Sequence, residues 1–462
     1  MIRKRLPCAA ATALSVALAM AVPTRAAGAP PRYQDLVREE TLPNGLRVIL
    51  LPDRKAPVVS FQVWVRVGSR DEIPGKTGLA HLLEHMMFKG TPRHGPKTFS
   101  REISRNGGDD NAFTTEDQTV YFENIASDRV DVAAELEADR MTHLTLDPQS
   151  FRSERDVVIE ERRMRTEDDP TGELAEQLEA AVFDAHPYRN PVIGWMDDIR
   201  GLTHGDAKDF YTRYYRPSNS FIVAVGDFEP AAMMATIRKR FGPLPRLPPS
   251  NHRTFREPAQ KGPRRVTLRR PAELPAIMIA WRAPGLADPD FPALEVADAI
   301  LSDGRSARLL QSLVFRQQVA TSVAADYDGI TLDPRIFLVY AQAFPGRSPV
   351  KVEKALLAEV DRLRNQPVTE AEIAKAKTQI EANWYRAQDS AFYRGMQIGQ
   401  YEMVGDWRRI DDYLPAIRKV RPADVQRAAR RIFTEDSRTT ATLLPTRPRK
   451  AAASAPGHGG TR

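Results

Sequence analysis

Gly78-Leu79-Ala80-His81-Leu82-Leu83-Glu84-His85-Met86-Met87-Phe88 carries two histidines four residues apart inside an otherwise apolar run. On a helix this spacing sets His81 and His85 on one face, one turn from each other, so both imidazoles can reach a single metal ion. Glu84, one residue before the second histidine, projects beside that ion. Leu82, Leu83, Met86, Met87 and Phe88 predict a buried helix. Buried polar groups need polar partners or a metal, which favours a metal centre over a solvated face.

The order H-x-x-E-H inverts the H-E-x-x-H found in many zinc proteases. A catalytic zinc takes three protein ligands and keeps a fourth position for water. The third ligand must therefore come from elsewhere in the fold, and the best candidate stretch is Phe151-Arg152-Ser153-Glu154-Arg155-Asp156-Val157-Val158-Ile159-Glu160-Glu161. On a helix Glu154 and Glu161 share a face. One could bind the metal while the other accepts a hydrogen bond from a ligand histidine and fixes its tautomer. Glu160 points about 100° away from Glu161, towards solvent. Glu84 is the expected general base, taking a proton from a water whose pKa zinc lowers to ~7 and returning it to the leaving amine. His94, His143, His186, His204, His252 and His458 show no paired ligand spacing and are expected to be structural or surface residues.

A chain of 462 residues with 42% hydrophobic content predicts two or more globular domains. The formal charge of +7 is modest, and no clustered basic and aromatic motif points to nucleic acid. Arg3, Lys4 and Arg5, the apolar run from Cys8 to Val22, and Thr24-Arg25-Ala26-Ala27 read as a secretory signal over 1–27. The run falls short of the roughly 20 apolar residues that span a bilayer, and no later segment does better, so no stable membrane anchor is expected. Cys8 is the only cysteine, so the mature chain would form no disulfide. A periplasmic or secreted protein is expected.

The chain reads as two similar halves. Strand-like runs at 45–50, 58–65, 119–125 and 221–227 and helical patterns at 130–141, 150–165 and 173–183 belong to a first half, 33–242. The proline-rich, charged stretch 243–263 reads as a linker. In the second half, 264–446, strands at 276–281, 337–342 and 439–444 and helices at 291–301 and 370–385 repeat the order. Pairing the halves puts Val296 and Ile300 opposite His81 and His85, Ala299 opposite Glu84, and Asn383 opposite Glu161, so the second half lacks the metal site. Residues 447–462 read as a disordered tail.

These motifs resemble those of the pitrilysin/insulinase family, the inverzincins, in its short form similar to the beta-type mitochondrial processing peptidase and bacterial periplasmic homologues. Matching segments include Leu42-Pro43-Asn44-Gly45-Leu46, the stretch 78–90, Asn111-Ala112-Phe113-Thr114 with Asp117, and the stretch 154–161. His186-Pro187-Tyr188, Pro191-Val192-Ile193-Gly194 and Tyr214-Tyr215-Arg216-Pro217-Ser218-Asn219 also fit. The resemblance implies an α+β fold of two similar metallohydrolase-type domains facing each other around a chamber. It implies one Zn2+ per chain on His81, His85 and Glu161, with Glu84 as base and Glu154 as supporting glutamate. It also implies that peptide substrates add as a strand along Asn111, Ala112, Phe113 and Thr114. Active members usually carry an arginine and a tyrosine in a second-half segment like Arg-Gly-x-Ala-Tyr. Here those positions fall on Gln317 and Thr321, with Arg316 and Tyr327 out of register. A heterodimer is therefore expected, in which a sister subunit supplies the missing pair; a homodimer is less expected. The alternatives are a non-catalytic assembly subunit of the same fold and a presequence-type processing peptidase.

Overall fold

The computed structural model describes residues 32–446, so the expected signal and tail lie outside the described residues. Six strands, β1 (Arg38–Thr41), β2 (Arg47–Pro52), β3 (Val58–Val65), β4 (Asp109–Thr114), β5 (Thr119–Ala126) and β6 (Ser220–Gly226), form a sheet in the order β1-β2-β6-β3-β5-β4. Five more, β7 (Arg264–Pro271), β8 (Ala276–Ala283), β9 (Ala320–Tyr327), β10 (Arg335–Ala343) and β11 (Arg438–Thr446), form a second sheet, β7-β11-β8-β10-β9. Without β1 the two orders are the same. The β2–β6 and β7–β11 pairs are parallel and the rest antiparallel, so one topology occurs twice.

The strands read as near-continuous apolar runs because both faces of each sheet are covered. On the first sheet, Val48, Leu50, Phe61 and Ile222 pack with the helices Val130–His143 and Pro230–Phe241 of the same half. The opposite face, with Ile49, Leu51, Trp64 and Val223, packs against Ile398, Tyr401, Trp407 and Ile410 of the second half. The second sheet is treated reciprocally: Leu174, Leu178 and Val182 of the helix Pro170–Val182 lie on Leu268, Met278, Ala280 and Leu443. The first half thus lends the helix Pro170–Val182 to its neighbour's sheet, and the second half lends Ala391–Met403 with the turn and helix that follow it. The helix Ala391–Met403 comes close enough only because it presents glycine: a Cβ on Gly399 would stand 2.1 Å from ring carbons of Trp64.

Polar contacts also tie the halves together. Asp117 accepts hydrogen bonds from Tyr188 (2.7 Å) and from the backbone N–H of Leu332 (3.0 Å), and pairs with Arg70 (3.3 Å). Arg70 also reaches Asp333 at 2.5 Å. The segment 243–263 has no helix or strand, but it is pinned rather than a free spacer. The Glu257 carboxylate accepts the backbone N–H groups of Asp184, Ala185 and His186, and His252 bridges Asp71 and Asn219.

Two helices start earlier than their apolar periods suggest, because each has an aspartate cap followed by proline. Asp147 caps Pro148–Arg162 and Asp169 caps Pro170–Val182. Between them Arg163–Glu167 forms a wider π turn. The His81 helix, Leu79–Met86, is started by Glu72, whose buried carboxylate accepts the N–H groups of Gly78 (3.0 Å) and Ala80 (2.7 Å). Gly78 has φ +86°, and a Cβ there would meet the Ile193 carbonyl at 2.5 Å.

Two stability changes follow, measurable by urea unfolding. Gly399→Ala overpacks the contact with Trp64 and is expected to cost about 1–3 kcal/mol, whereas Gly205→Ala, with only the Thr203 hydroxyl at 3.6 Å, should be near neutral. Glu72→Ala leaves buried N–H groups without an acceptor and is expected to cost about 1–3 kcal/mol.

Candidate metal centre

The His81 helix and the helix Pro148–Arg162 meet through a shared apolar core. Leu79, Leu82, Leu83 and Met86 from the first pack with Phe151 and Val158 from the second, under Tyr121 of β5. This contact turns His81 and His85 towards Glu154 and Glu161. His81 Nε2 lies 3.7 Å, and His85 Nε2 3.4 Å, from Glu161 Oε2. These separations exceed the usual 2.7–2.9 Å of a charge-assisted hydrogen bond. The His85 separation falls within the spacing of about 3.3–3.5 Å between atoms that each sit 2.0–2.2 Å from one tetrahedral zinc, and the His81 separation is slightly longer. His81, His85 and Glu161 are the one group among the described residues whose ligand atoms converge in this way, all within 4.8 Å.

The electrostatics suit a cation. Burial, and then the neighbouring His85, push the His81 pKa down to about 4, so its ring is neutral and able to ligate. His81 Nδ1 is buried without a hydrogen-bond partner among the described residues, so nothing there fixes its tautomer; a metal at Nε2 would. Burial opposes charge on His85, but Glu161, Glu84 and Glu154 together outweigh it and raise its pKa. The contact with His85 keeps Glu161 below the usual carboxylate range despite burial. Three carboxylates surround the two imidazoles, and Lys89 and Arg165 offset part of their charge.

The surrounding contacts orient these groups. Glu154 Oε2 lies 3.4 Å from His85 Nδ1, and its Oε1 pairs with Lys89 at 2.5 Å. Arg165, from the π turn, holds Glu161 Oε1 at 2.8 Å and leaves Oε2 to the imidazoles. Glu160 lies in solvent against Arg163. Glu84 accepts a hydrogen bond from the Thr114 hydroxyl at 2.5 Å. Burial raises the Glu84 pKa, and this bond counteracts the rise.

Asn111, Ala112, Phe113 and Thr114 lie on β4, the free edge of the first sheet, paired only with β5. Their side chains have separate roles: Phe113 packs edge-on against Trp64 at 6.3 Å, Asn111 accepts the N–H of Ala112, and Thr114 holds Glu84. Gln317 and Thr321 are exposed on the second half and bond within it, to Ser312 (2.9 Å) and Gln342 (3.2 Å). Tyr327 is buried with its hydroxyl on the Pro284 carbonyl, and so cannot replace the tyrosine expected at Thr321. Gln318, at the motif's glycine position, has φ +49°. Sequence reading missed Glu72, Lys89 and Arg165. The last two stand four residues after His85 and Glu161, a spacing that could have flagged them.

Residues 47–195 match the family model described as insulinase (peptidase family M16), and residues 201–380 match the one described as the peptidase M16 inactive domain. The second match begins before β6, which belongs to the first sheet, and includes the helix with Val296, Ala299 and Ile300. The zinc protease PqqE of Helicobacter pylori is 32% identical over 88% of this chain and 92% of its own length. A Streptomyces coelicolor protein described as a zinc protease is 30% identical over 86% and 87%. The crystal structure of a protease from Helicobacter pylori superposes with a TM-score of 0.86 at 31% identity, over 88% of this chain and 99% of that one. The periplasmic protease PqqL of Escherichia coli shares the fold, with a TM-score of 0.75 at 18% identity over 90% of this chain and 48% of that one. With two domains of this type in one α+β chain, the protein belongs to the insulinase family of peptidases, family M16.

Proposed function

We propose that this chain is a zinc-dependent endopeptidase acting on peptides or unfolded polypeptide segments. The carrying observation is the convergence of His81 Nε2, His85 Nε2 and Glu161 Oε2, with Glu84 held alongside by Thr114. Bound there, zinc would polarise the scissile carbonyl and lower the pKa of water to ~7. Glu84 takes the proton of the attacking water and delivers it to the leaving amine. The Thr114 hydroxyl fixes the direction of its carboxylate. Glu154, steadied by Lys89, accepts from His85 Nδ1 and orients that ring. The free edge of β4 pairs with the backbone of an extended peptide, which gives affinity with broad sequence tolerance. A chamber between the halves would admit extended chains in preference to folded ones.

A heterodimer with a sister subunit completes the reading, since neither Gln317 nor Thr321 can supply the charge or phenol that active relatives use. The same two residues favour the second reading, a non-catalytic assembly subunit. The signal-like N-terminus and the likeness to a periplasmic protease support export to the periplasm or beyond.

Elemental analysis with a quenched fluorescent peptide assay tests the proposal. One zinc per chain is expected, lost in Glu161→Ala and retained in Glu84→Gln. Glu84→Gln should lower kcat/KM by about 10²–10⁴-fold. Glu154→Ala should weaken zinc affinity by about 10–100-fold. Strong cleavage is expected only after co-expression with the sister subunit. Full activity of the isolated chain would refute the division of labour, and zinc binding without activity in any mixture would favour the scaffold.

A further inference from the structure

We propose that the second half binds an organic cation, the guanidinium or ammonium group of a basic residue in a polypeptide, in an acidic pocket beside the helix Phe291–Ser302. The pocket encloses about 310 Å³. Glu295, Asp298 and Asp303 line it together with Trp384, Tyr401 and Tyr413, and none of its described lining residues is lysine or arginine. The nearby basic groups have partners: Lys375 on the Asp303 carbonyl (3.3 Å), Arg409 on the Leu286 carbonyl (2.8 Å) and Arg386 on the side-chain oxygen of Asn383 (2.7 Å).

The pocket has unanswered hydrogen-bonding capacity. Tyr401 is 1% exposed and brings to its wall a hydroxyl with no partner among the described residues. Asp298 Oδ1 is also buried without a partner. Glu295 is satisfied on one oxygen by the Tyr413 hydroxyl at 2.9 Å. A buried carboxylate oxygen and a buried hydroxyl without partners suit a ligand that donates N–H groups. Burial, and then the neighbouring Glu295, push the Asp298 pKa up to about 8, and burial pushes Glu295 up to about 7. Negative charge is therefore costly here until a cation compensates it.

Two observations favour an organic cation over a metal ion. Among the described residues only His81, His85 and Glu161 bring ligand atoms together as a metal requires, so these carboxylates do not converge on one point. One wall is aromatic, with Trp384 and Tyr413 stacked at 5.0 Å, a surface that suits a guanidinium or alkylammonium group. The location is also informative. Ala299 and Asn383, which stand in the repeat where Glu84 and Glu161 stand in the first half, line this same pocket. The second half lacks the metal ligands and carries acid at the equivalent place.

Naming a polypeptide as the carrier rests on the peptidase reading; the cation site itself does not. The test is equilibrium binding of a fluorescent peptide with one arginine, and of its citrulline counterpart, to zinc-loaded full-length Glu84→Gln protein. Citrulline should weaken binding by about 10-fold, the equivalent of ~1.4 kcal/mol. Adding Asp298→Asn should remove the difference while leaving the melting temperature near that of the parent, and Tyr401→Phe should reduce it. Equal affinity for both peptides, or a difference that survives Asp298→Asn, overturns the proposal. If neither peptide binds but argininamide raises the melting temperature of the wild type and not of Asp298→Asn, the cation site stands and the peptidase reading fails. If spermidine does so and argininamide does not, the pocket belongs to a free polyamine and the peptide assignment falls.

Discussion

Both sheets are apolar on two faces, and each half supplies helices for only one of them. The second face is covered from the other half, by Pro170–Val182 in one direction and Ala391–Met403 in the other. Exposing either face would put Trp64, Val223, Met278 and Leu443 into water, so neither half is self-sufficient. The exchange also reaches the candidate metal centre. The helix that carries Glu161 runs through the π turn at Arg163–Glu167 directly into Pro170–Val182, which lies on the second sheet. Glu161 is thus held at one end by the His81 helix and at the other by its neighbour's sheet, and Arg165 in the turn between them fixes its outer oxygen.

The local motifs were legible because they depend on spacing alone. A four-residue interval places His81 and His85 on one helical face, and a seven-residue interval places Glu154 and Glu161 on another. The halves were legible as repeated strand and helix patterns, although β1, β7 and β9 were not read as strands. Contacts between segments distant in sequence were not. Glu72 looks like any loop acid until its carboxylate meets the start of the His81 helix. Thr114 fits an edge strand, and its bond to Glu84 arises only from where β4 falls. The linker looked free because proline and charge lack an apolar period, yet Glu257 satisfies three backbone N–H groups across it. β1, Arg-Glu-Glu-Thr, offered no apolar signal because it is a mostly exposed edge paired only with β2.

The duplication shows which features the fold needs and which the chemistry needs. Strand order apart from β1, the apolar helix that follows β3 in one half and β8 in the other, and the crossing helix recur in both halves. The polar groups do not. Where the first half has His81, Glu84 and His85, the second has Val296, Ala299 and Ile300, which simply extend its core. Gln318, at the family motif's glycine position, has a left-handed backbone, a conformation that disfavours a side chain with a Cβ. The second half has preserved its backbone path while its side chains diverged.

The peptidase reading stands on two imidazoles and one carboxylate converging on a single ion. X-ray absorption at the zinc edge of the purified full chain tests it most directly. The account predicts a four-coordinate zinc with two imidazole nitrogens at about 2.0–2.1 Å and oxygen ligands filling the remaining positions. A third imidazole, or a six-oxygen shell of weakly held surface metal, would contradict it.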